Sequence, residues 1–401
     1  MRGDAAAPAG RILMLVENLP VPFDRRIWMQ ATSLARAGYQ VAVICPAGDL
    51  PVGHERLEDV HIYRYPLASR SGLLGHVLEY GLALPMTLAL SCVVYWRHGF
   101  DVIHGANPPD AFFLIAALFR PFGVRFVFDH HDLVPEICQT RWTGWRRGLL
   151  VRLALWTEWA TYRCADRVIA TNDSYRAVAV ERGRVDPGRV VVVRSAPRVD
   201  RFRPVAPRPE LRNGRAFLVA YLGVMGPNDG LDHLLRAIAH IVHRRQRDDI
   251  QFVLIGTGDL HARMTAMSRE LGLDPHVQFT GRIPDDDVIA VLSSADVCVA
   301  PDPDDALNRV SSMNKIVEYM ALGRPIVAFD LHETRVSAAD AALYATPNQT
   351  DDFGDRVLEL LADPARRRAM GAFGRDRFER ALAWEHQRAP LLALYRELCG
   401  G

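Results

Sequence analysis

The stretch APDPDDALNRVSSMNKIVEYMALGRPIVAFD, Ala300 to Asp330, decides the reading of the fold. It divides into loop, helix, tight turn and buried strand. Asp302, Pro303, Asp304 and Asp305 do not suit a strand interior, and Ser311 and Ser312 are helix-start residues. Asn314 to Leu322 has helical character, Gly323 stops it, and Pro325 opens the apolar run Ile326, Val327, Ala328, Phe329. A helix N-terminus therefore opens beside an acidic loop. Such a terminus carries unpaired backbone N–H groups and about half a positive charge, which suits a phosphate. Lys315 and Glu318 stand three apart on one helical face. A cation near the opening suits a diphosphate, and a carboxylate one turn deeper suits ribose hydroxyls. The same pair also reads as a solvated Lys/Glu contact worth a few tenths of a kcal/mol.

Working outward, YLGVMGPNDGLDHLLRAI (221–238), QFVLIGTGDL (251–260), HVQFTGRIP (276–284) and ADVCVAP (295–301) precede KIVEYMALGRPIVAFD in that order. Together these motifs resemble the nucleotide-sugar half of retaining glycosyltransferases of the GT-B fold. The likeness is strongest to the family-four-like bacterial branch that builds surface polysaccharides. It implies an α/β chain of two Rossmann-like, doubly wound domains facing a central cleft. An acceptor-binding domain is expected over 1–195, a linker over 196–212 and a nucleotide-sugar domain over 213–375. A helix over 376–401 is expected to cross back to the first domain. The implied reaction moves a sugar from a nucleoside-diphosphate sugar to a hydroxyl of a glycan or lipid-linked acceptor, with no resident cofactor and no metal.

Bulk properties bound the alternatives. At 401 residues the chain is long for one core, so two domains are expected. Its net charge of +1 argues against a general nucleic-acid binder. Six scattered cysteines with no CxxC pair fit a reducing compartment without structural zinc. The opening MRGDAAAPAG has no apolar core of signal-peptide length, so a cytoplasmic location is expected, with peripheral contact to the inner face of the membrane. LALPMTLALSCVVYW, Leu82 to Trp96, falls short of the roughly 20 apolar residues a spanning helix needs and contains Pro85, so it reads as a buried or surface-lying helix.

RILMLVE (11–17), the loop NLPVPFDRR, a helix from about Ile27 to Ala37 and a strand Gln40 to Cys45 form a βαβ unit, whose ligands bind beyond the strands' carboxyl ends. The resembled enzymes often carry paired glycines in this first loop. Here Pro20, Pro22, Phe23 and Asp24 fill the space, leaving Asp24, Arg25, Arg26 and Asn107 as acceptor-binding candidates; Arg25 and Arg26 read equally as an exposed helix start. The strand Val124 to Phe128 delivers DHHDLVPE, and the resemblance makes His131 the residue that reaches the sugar; His130 should face the other way. In QTRWTGWRRGLLVRLALWTEWATY (139–162), the head Arg141, Trp142, Trp145, Arg146 and Arg147 suits anionic lipid, and the leucines that follow read as core. Proline and arginine crowd Pro197 to Pro209, where few contacts are expected.

In the second half, Gly223, Gly226, Gly256 and Gly258 are expected to let backbone approach the donor. GTGDLH is an incomplete dinucleotide fingerprint, with His261 at the third glycine position. By the resemblance, Arg282 and Ile283 read the base, Ser311, Ser312, Met313, Asn314 and Lys315 hold the diphosphate, and Glu318 accepts from the ribose. Two cations usual in the family are absent, their places taken by Val224 and Asp229, and the earlier carboxylate of a usual pair is replaced by Val310. Arg309 and Arg335 are the nearest substitutes. Asp302 and Asp304 superficially resemble a metal-binding DxD, but the position does not fit one. A non-catalytic partner subunit and a sugar-nucleotide epimerase remain as rival readings.

Overall fold

Eight short strands, most of them apolar, form the first sheet of the computed structural model, which describes residues 8–67, 73–142 and 144–400. Side chains at 73–78, 80 and 145 are also outside the described set. The strands are β1 Arg11–Leu15, β2 Gln40–Pro46, β3 Gly53–Leu57, β4 Val60–Tyr65, β5 Val102–Ala106, β6 Arg125–His130, β7 Arg167–Ala170 and β8 Val190–Val192. They lie in the order β3-β4-β2-β1-β5-β6-β7-β8. All pairings are parallel except β3 with β4. β1, β2, β5 and β6 are buried almost throughout, as strands covered on both faces must be.

The second sheet contains β9 Phe217–Leu222, β10 Ile250–Ile255, β11 Val277–Gly281, β12 Val297–Ala300, β13 Ile326–Phe329 and β14 Ala342–Ala345. Its order is β11-β10-β9-β12-β13-β14, wholly parallel. Each sheet belongs to its own Rossmann-like unit. The first takes Met1–Ser195 and Gln387–Gly401, the second Ala196–His386. In both sheets the chain steps outward on one side of the first strand and then returns to build on the other. The reversal falls between β1 and β5 in unit 1 and between β9 and β12 in unit 2. In open α/β sheets the crevice at such a reversal, outside the strands' carboxyl ends, is where ligands bind.

Two expectations change here, and a third holds. The segment 196–212 is packed on unit 2: Ala196 and Phe202 are in its core, and Val205 and Arg208 donate backbone N–H groups to Ser293 and Ser294. Its arginines did not keep the chain away, because Phe202 supplied an apolar anchor between them. The tail is divided too. Phe378, Leu382 and Ala383 pack in unit 2, whereas Tyr395 is buried in unit 1 with its hydroxyl 2.7 Å from His104 Nδ1. The run from Leu82 to Trp96 is part of helix Leu73–His98, which retains Pro85. No helix among the described residues is long and apolar enough to cross a membrane.

Candidate active site

In unit 2, the loop after β9 and the loop after β12 meet at the sheet's reversal. Gly230 has φ +67°, and an added Cβ would sit 2.0 Å from the Pro301 carbonyl oxygen, so only glycine permits the approach. Asn228 donates to Asp305 (2.9 Å), and Asn308 donates to the Asn228 carbonyl (2.8 Å), fastening the loops together. Gly256, at φ +131°, would place a Cβ 1.8 Å from the Gly223 carbonyl, and a Cβ at Gly258 would meet the Met225 backbone. The glycines of the partial fingerprint thus serve contact between neighbouring loops.

The helix of the opening stretch spans Asn314–Ala321 and begins later than Ser311 and Ser312 suggest. Their hydroxyls are engaged elsewhere: Ser311 donates to the Leu307 carbonyl and Ser312 to Glu333. The cap position is Met313, which makes no side-chain cap bond, and Asn314 is exposed. Tyr319 locks the helix to the sheet, donating to the Val299 carbonyl (3.1 Å) and accepting from Leu222 N–H (2.8 Å). The helix start is thereby fixed against the two central strands, β9 and β12.

Lys315 is only 7% exposed. Its ammonium is 2.6 Å from Asp302, 3.8 Å from Asp229 and 5.0 Å from the centre of the Tyr221 ring. Its chain passes Gly223, where an added Cβ would come within 3.2 Å of Lys315 Cε. Burial pulls the lysine's pKa down, but the two carboxylates outweigh that and hold it above its ordinary value. Asp229 also caps the tight turn by accepting from Gly226 N–H (3.0 Å). Burial pushes its carboxyl up to about 6, with Lys315 pulling against the shift and Asp302 adding to it. Asp302 turns its second oxygen into the interior without a hydrogen-bond partner. Asp302 and Asp304 are therefore engaged with cations, the latter with Arg309 at 2.6 Å. Among the described residues no three His, Cys, Asp or Glu side chains converge as a metal-ligand group.

In unit 1, helix Arg25–Arg36 begins at the N-cap Asp24, which accepts from Ile27 N–H (3.0 Å). Arg25 is exposed. Arg26, taken as an acceptor contact or an exposed helix start, is neither. Its guanidinium grips Asp129 at 3.0 and 2.6 Å and donates to the Val193 carbonyl and Ser195. Asn107 accepts from His131 N–H and Asp132 N–H and donates to Asp110 and the Asp132 carbonyl, so it positions the loop that carries His131. His131 is partly exposed, and its Nδ1 meets no partner. His130 points inward, 2.9 Å from the Tyr162 hydroxyl.

Two residues past β1, Glu17 is buried with Oε1 unpartnered. Burial, and to a lesser degree Glu79, pushes its carboxyl up to about 8. A carboxyl raised in the folded state contributes stability that is present below its unfolded value and lost as pH rises through about 8. Glu17→Gln is therefore expected to stabilise the protein progressively between about pH 4.5 and pH 8 and to keep that gain above it. Melting curves that keep the wild-type pH dependence would refute this.

The comparisons with known proteins cover both units. Residues 24–196 match the glycosyl transferase 4-like domain, and residues 216–363 match glycosyl transferases group 1. The chain belongs to this glycosyltransferase family. A D-inositol 3-phosphate glycosyltransferase of Corynebacterium kroppenstedtii is 26% identical over 58% of this chain, which spans 53% of that relative's length. Sucrose-phosphate synthase of Thermosynechococcus elongatus shares the fold at TM-score 0.81 and 20% identity, over 98% of this chain and 99% of its own. HepE of Anabaena, solved with UDP and glucose, shares it at TM-score 0.71 and 16% identity, over 97% and 100%. Structural neighbours of this kind make the fold GT-B.

Within this glycosyltransferase fold the departures acquire a structural form. Val224 is exposed, and Tyr221 donates to its carbonyl (2.9 Å). Asp229 and Asp302 together neutralise the lysine next to it. Arg309 and Arg335 pair with Asp304 and Asp330 at the surface, and Arg335 also stacks on Tyr344 at 4.2 Å. Exposed pairs of this kind hold by about 0–1 kcal/mol, so both guanidiniums remain exchangeable. Arg282 is exposed beyond β11, Ile283 and Met313 pack on the core, and Glu318 is half-buried. Sequence reasoning missed Tyr221 and Gly230, and took Asp302 for a false metal motif. The cue to Asp302 lay in a buried lysine's need for a counter-ion.

Proposed function

We propose that this protein is a retaining glycosyltransferase that moves a sugar from a nucleoside-diphosphate sugar to a hydroxyl of a lipid-linked glycan precursor. The reading has the protein working without a resident cofactor, on the inner face of the membrane. The observation that carries it is the convergence at the reversal of the unit 2 sheet. There an uncapped helix start, a buried ammonium and a glycine loop lie together at the carboxyl ends of the strands. UDP is a ligand of HepE, which makes a UDP-sugar the first donor to test here.

In this reading the helix start at Ser311 to Asn314 and Lys315 receive the departing diphosphate, with Arg309 or Arg335 swinging from its surface partner to assist. Preorganised donors aimed at developing charge supply the main acceleration. Asp229 is readily protonated, because burial raises its carboxyl to about 6 against the pull of the ammonium 3.8 Å away. Glu318 accepts from the ribose, and His131 positions the sugar on a loop fixed by Asn107. By the family resemblance, retention follows from same-face attack with the leaving phosphate taking the acceptor's proton. Arg141, Arg146 and Arg147 are exposed and Trp142 is partly so, in keeping with a membrane-bound acceptor.

The test combines donor binding with turnover. His131→Ala is expected to lower the transfer rate by about 100-fold or more with donor affinity kept, and Glu318→Ala to weaken donor binding about tenfold. Calorimetric titration with UDP and release of UDP from a UDP-sugar measure the two. Wild-type behaviour in both variants would remove the assigned site. Conversion of the nucleotide sugar with no acceptor present would favour an epimerase instead.

A further inference from the structure

The sequence reading assigned the leucines of helix Gly144–Cys164 to the core, and the structure places them outside. Leu149 is 60% exposed, Leu153 54% and Trp156 56%, with Trp159 also exposed. Ala154, Glu158 and Ala160 face inward in their stead. The same outward display occurs on two further helices of unit 1. Helix Phe113–Phe119 and the turn after it present Leu114, Leu118 and Phe122, the last 65% exposed. Helix Leu73–His98 presents Leu82, Val93 and Trp96, the last 92% exposed, at helical spacing. The helices that carry these displays are in contact. Tyr95 lies 5.8 Å from Phe122, Phe119 lies 6.5 Å from Phe122, and Phe113 lies 6.5 Å from Trp156, centre to centre.

Isolated exposed leucines need no explanation, but a face spread across three helices in contact does. Its charge is one-sided. Arg97, Arg120, Arg146, Arg147, Arg152 and Arg163 are exposed on these elements. Their only acids are Glu79, which is half-buried, and Glu158, which is buried and held by Arg182. Arg120 reaches Asp166 at the edge of the face, and Arg163 lies over the Trp159 ring. A second copy of this face would oppose arginine to arginine, so charge disfavours self-pairing. Interspersed arginine, tryptophan and leucine, with no helix among the described residues long and apolar enough to cross, match an anionic bilayer interface, where rings and leucines enter the headgroup boundary and guanidiniums meet phosphates.

We infer that the outer face of helices Leu73–His98, Phe113–Phe119 and Gly144–Cys164 docks on an anionic membrane surface. Docking therefore extends well beyond the Arg/Trp head at Arg141 to Arg147. Trp145, part of that head, lies outside the described side chains. The inference rests on the lipid-linked acceptor reading for its purpose, but its test does not. The full chain is sedimented with vesicles of phosphatidylglycerol and phosphatidylethanolamine, and with phosphatidylcholine vesicles. Binding is expected to the first only. Leu153→Glu with Trp156→Glu, and Leu118→Glu with Phe122→Glu, are each expected to weaken partitioning by about tenfold or more, and Phe373→Glu on unit 2 to leave it unchanged. Bromolipids should quench tryptophan fluorescence in the unsubstituted chain, which reports insertion even if a variant fails to fold.

Absence of binding to anionic vesicles overturns the inference. So does wild-type binding by both apolar variants, or a dimer that the same substitutions dissociate without any vesicle binding. A UDP-induced thermal shift is measured alongside. Its absence with vesicle binding intact counts against the transferase reading alone, and its presence with vesicle binding lost counts against the docking face alone.

Discussion

Lys315→Ala is expected to destabilise unit 2 by about 3–5 kcal/mol near pH 8 and to abolish sugar transfer. The stability loss comes from what remains. Asp302 and Asp229 would lie side by side in the interior with no counter-charge, and Asp302 already has one oxygen without a partner. Acid should relieve the variant. Because the folded pKa of Asp229 is raised, the stability it contributes is present below its unfolded value and lost as pH rises through about 6. Without the ammonium its folded pKa rises further and the loss continues to higher pH, so the gap between variant and wild type should narrow as pH falls towards about 6. Replacing the pair by apolar groups, as Lys315→Met with Asp302→Leu, should restore most of the stability while leaving transfer absent. Scanning calorimetry and UDP release separate the two effects. A single variant within about 1 kcal/mol of wild type would mean that the ammonium is not holding buried carboxylates.

Asp129→Ala is the corresponding lesion in unit 1, again with about 3–5 kcal/mol expected at neutral pH. Asp129 receives Arg26 through two hydrogen bonds and Gln30 through one at 2.8 Å, and lies 3.4 Å from His104. Burial alone would raise its carboxyl, but Arg26 and His104 more than reverse this and hold it well below the usual carboxylate range. A depressed carboxylate contributes stability above its unfolded value and loses it only as pH falls through the folded one. The destabilisation by Asp129→Ala should thus be full at neutral pH and shrink only in strong acid. Arg26→Ala strands the opposite charge and should cost a similar amount, and the double variant should cost clearly less than the sum of the two. Strict additivity in urea unfolding would show that the two groups are not a pair.

The two lesions also mark how far the residues could be read without coordinates. The alternation of apolar runs with helical segments, and stops such as Gly323 and Pro325, were legible because each is set by local backbone chemistry. The same holds for the two-unit parallel architecture, which follows from the repeated strand-helix rhythm. Burial of individual charged groups was not legible. Arg25 and Arg26 are neighbours of one type, yet one is exposed and the other sits inside, because Asp129 arrives from a strand about a hundred positions away. Lys315 and Glu318 share a helical face as their spacing requires, but Asp302 and Asp229, brought in from two other loops, determine that the lysine is already partnered.

The outer face of unit 1 shows the same limit from the apolar side. Helix Gly144–Cys164 carries leucine, alanine and tryptophan nearly all round, so periodicity does not reveal which side is covered. The sequence by itself determined the two wound parallel sheets, their order along the chain and the place of the candidate site at the end of a strand, since these depend on local propensity and spacing. Only the tertiary structure decided which charges are neutralised, which glycines serve loop contacts and which leucines meet solvent, because each depends on partners that are distant in the chain and adjacent only after folding.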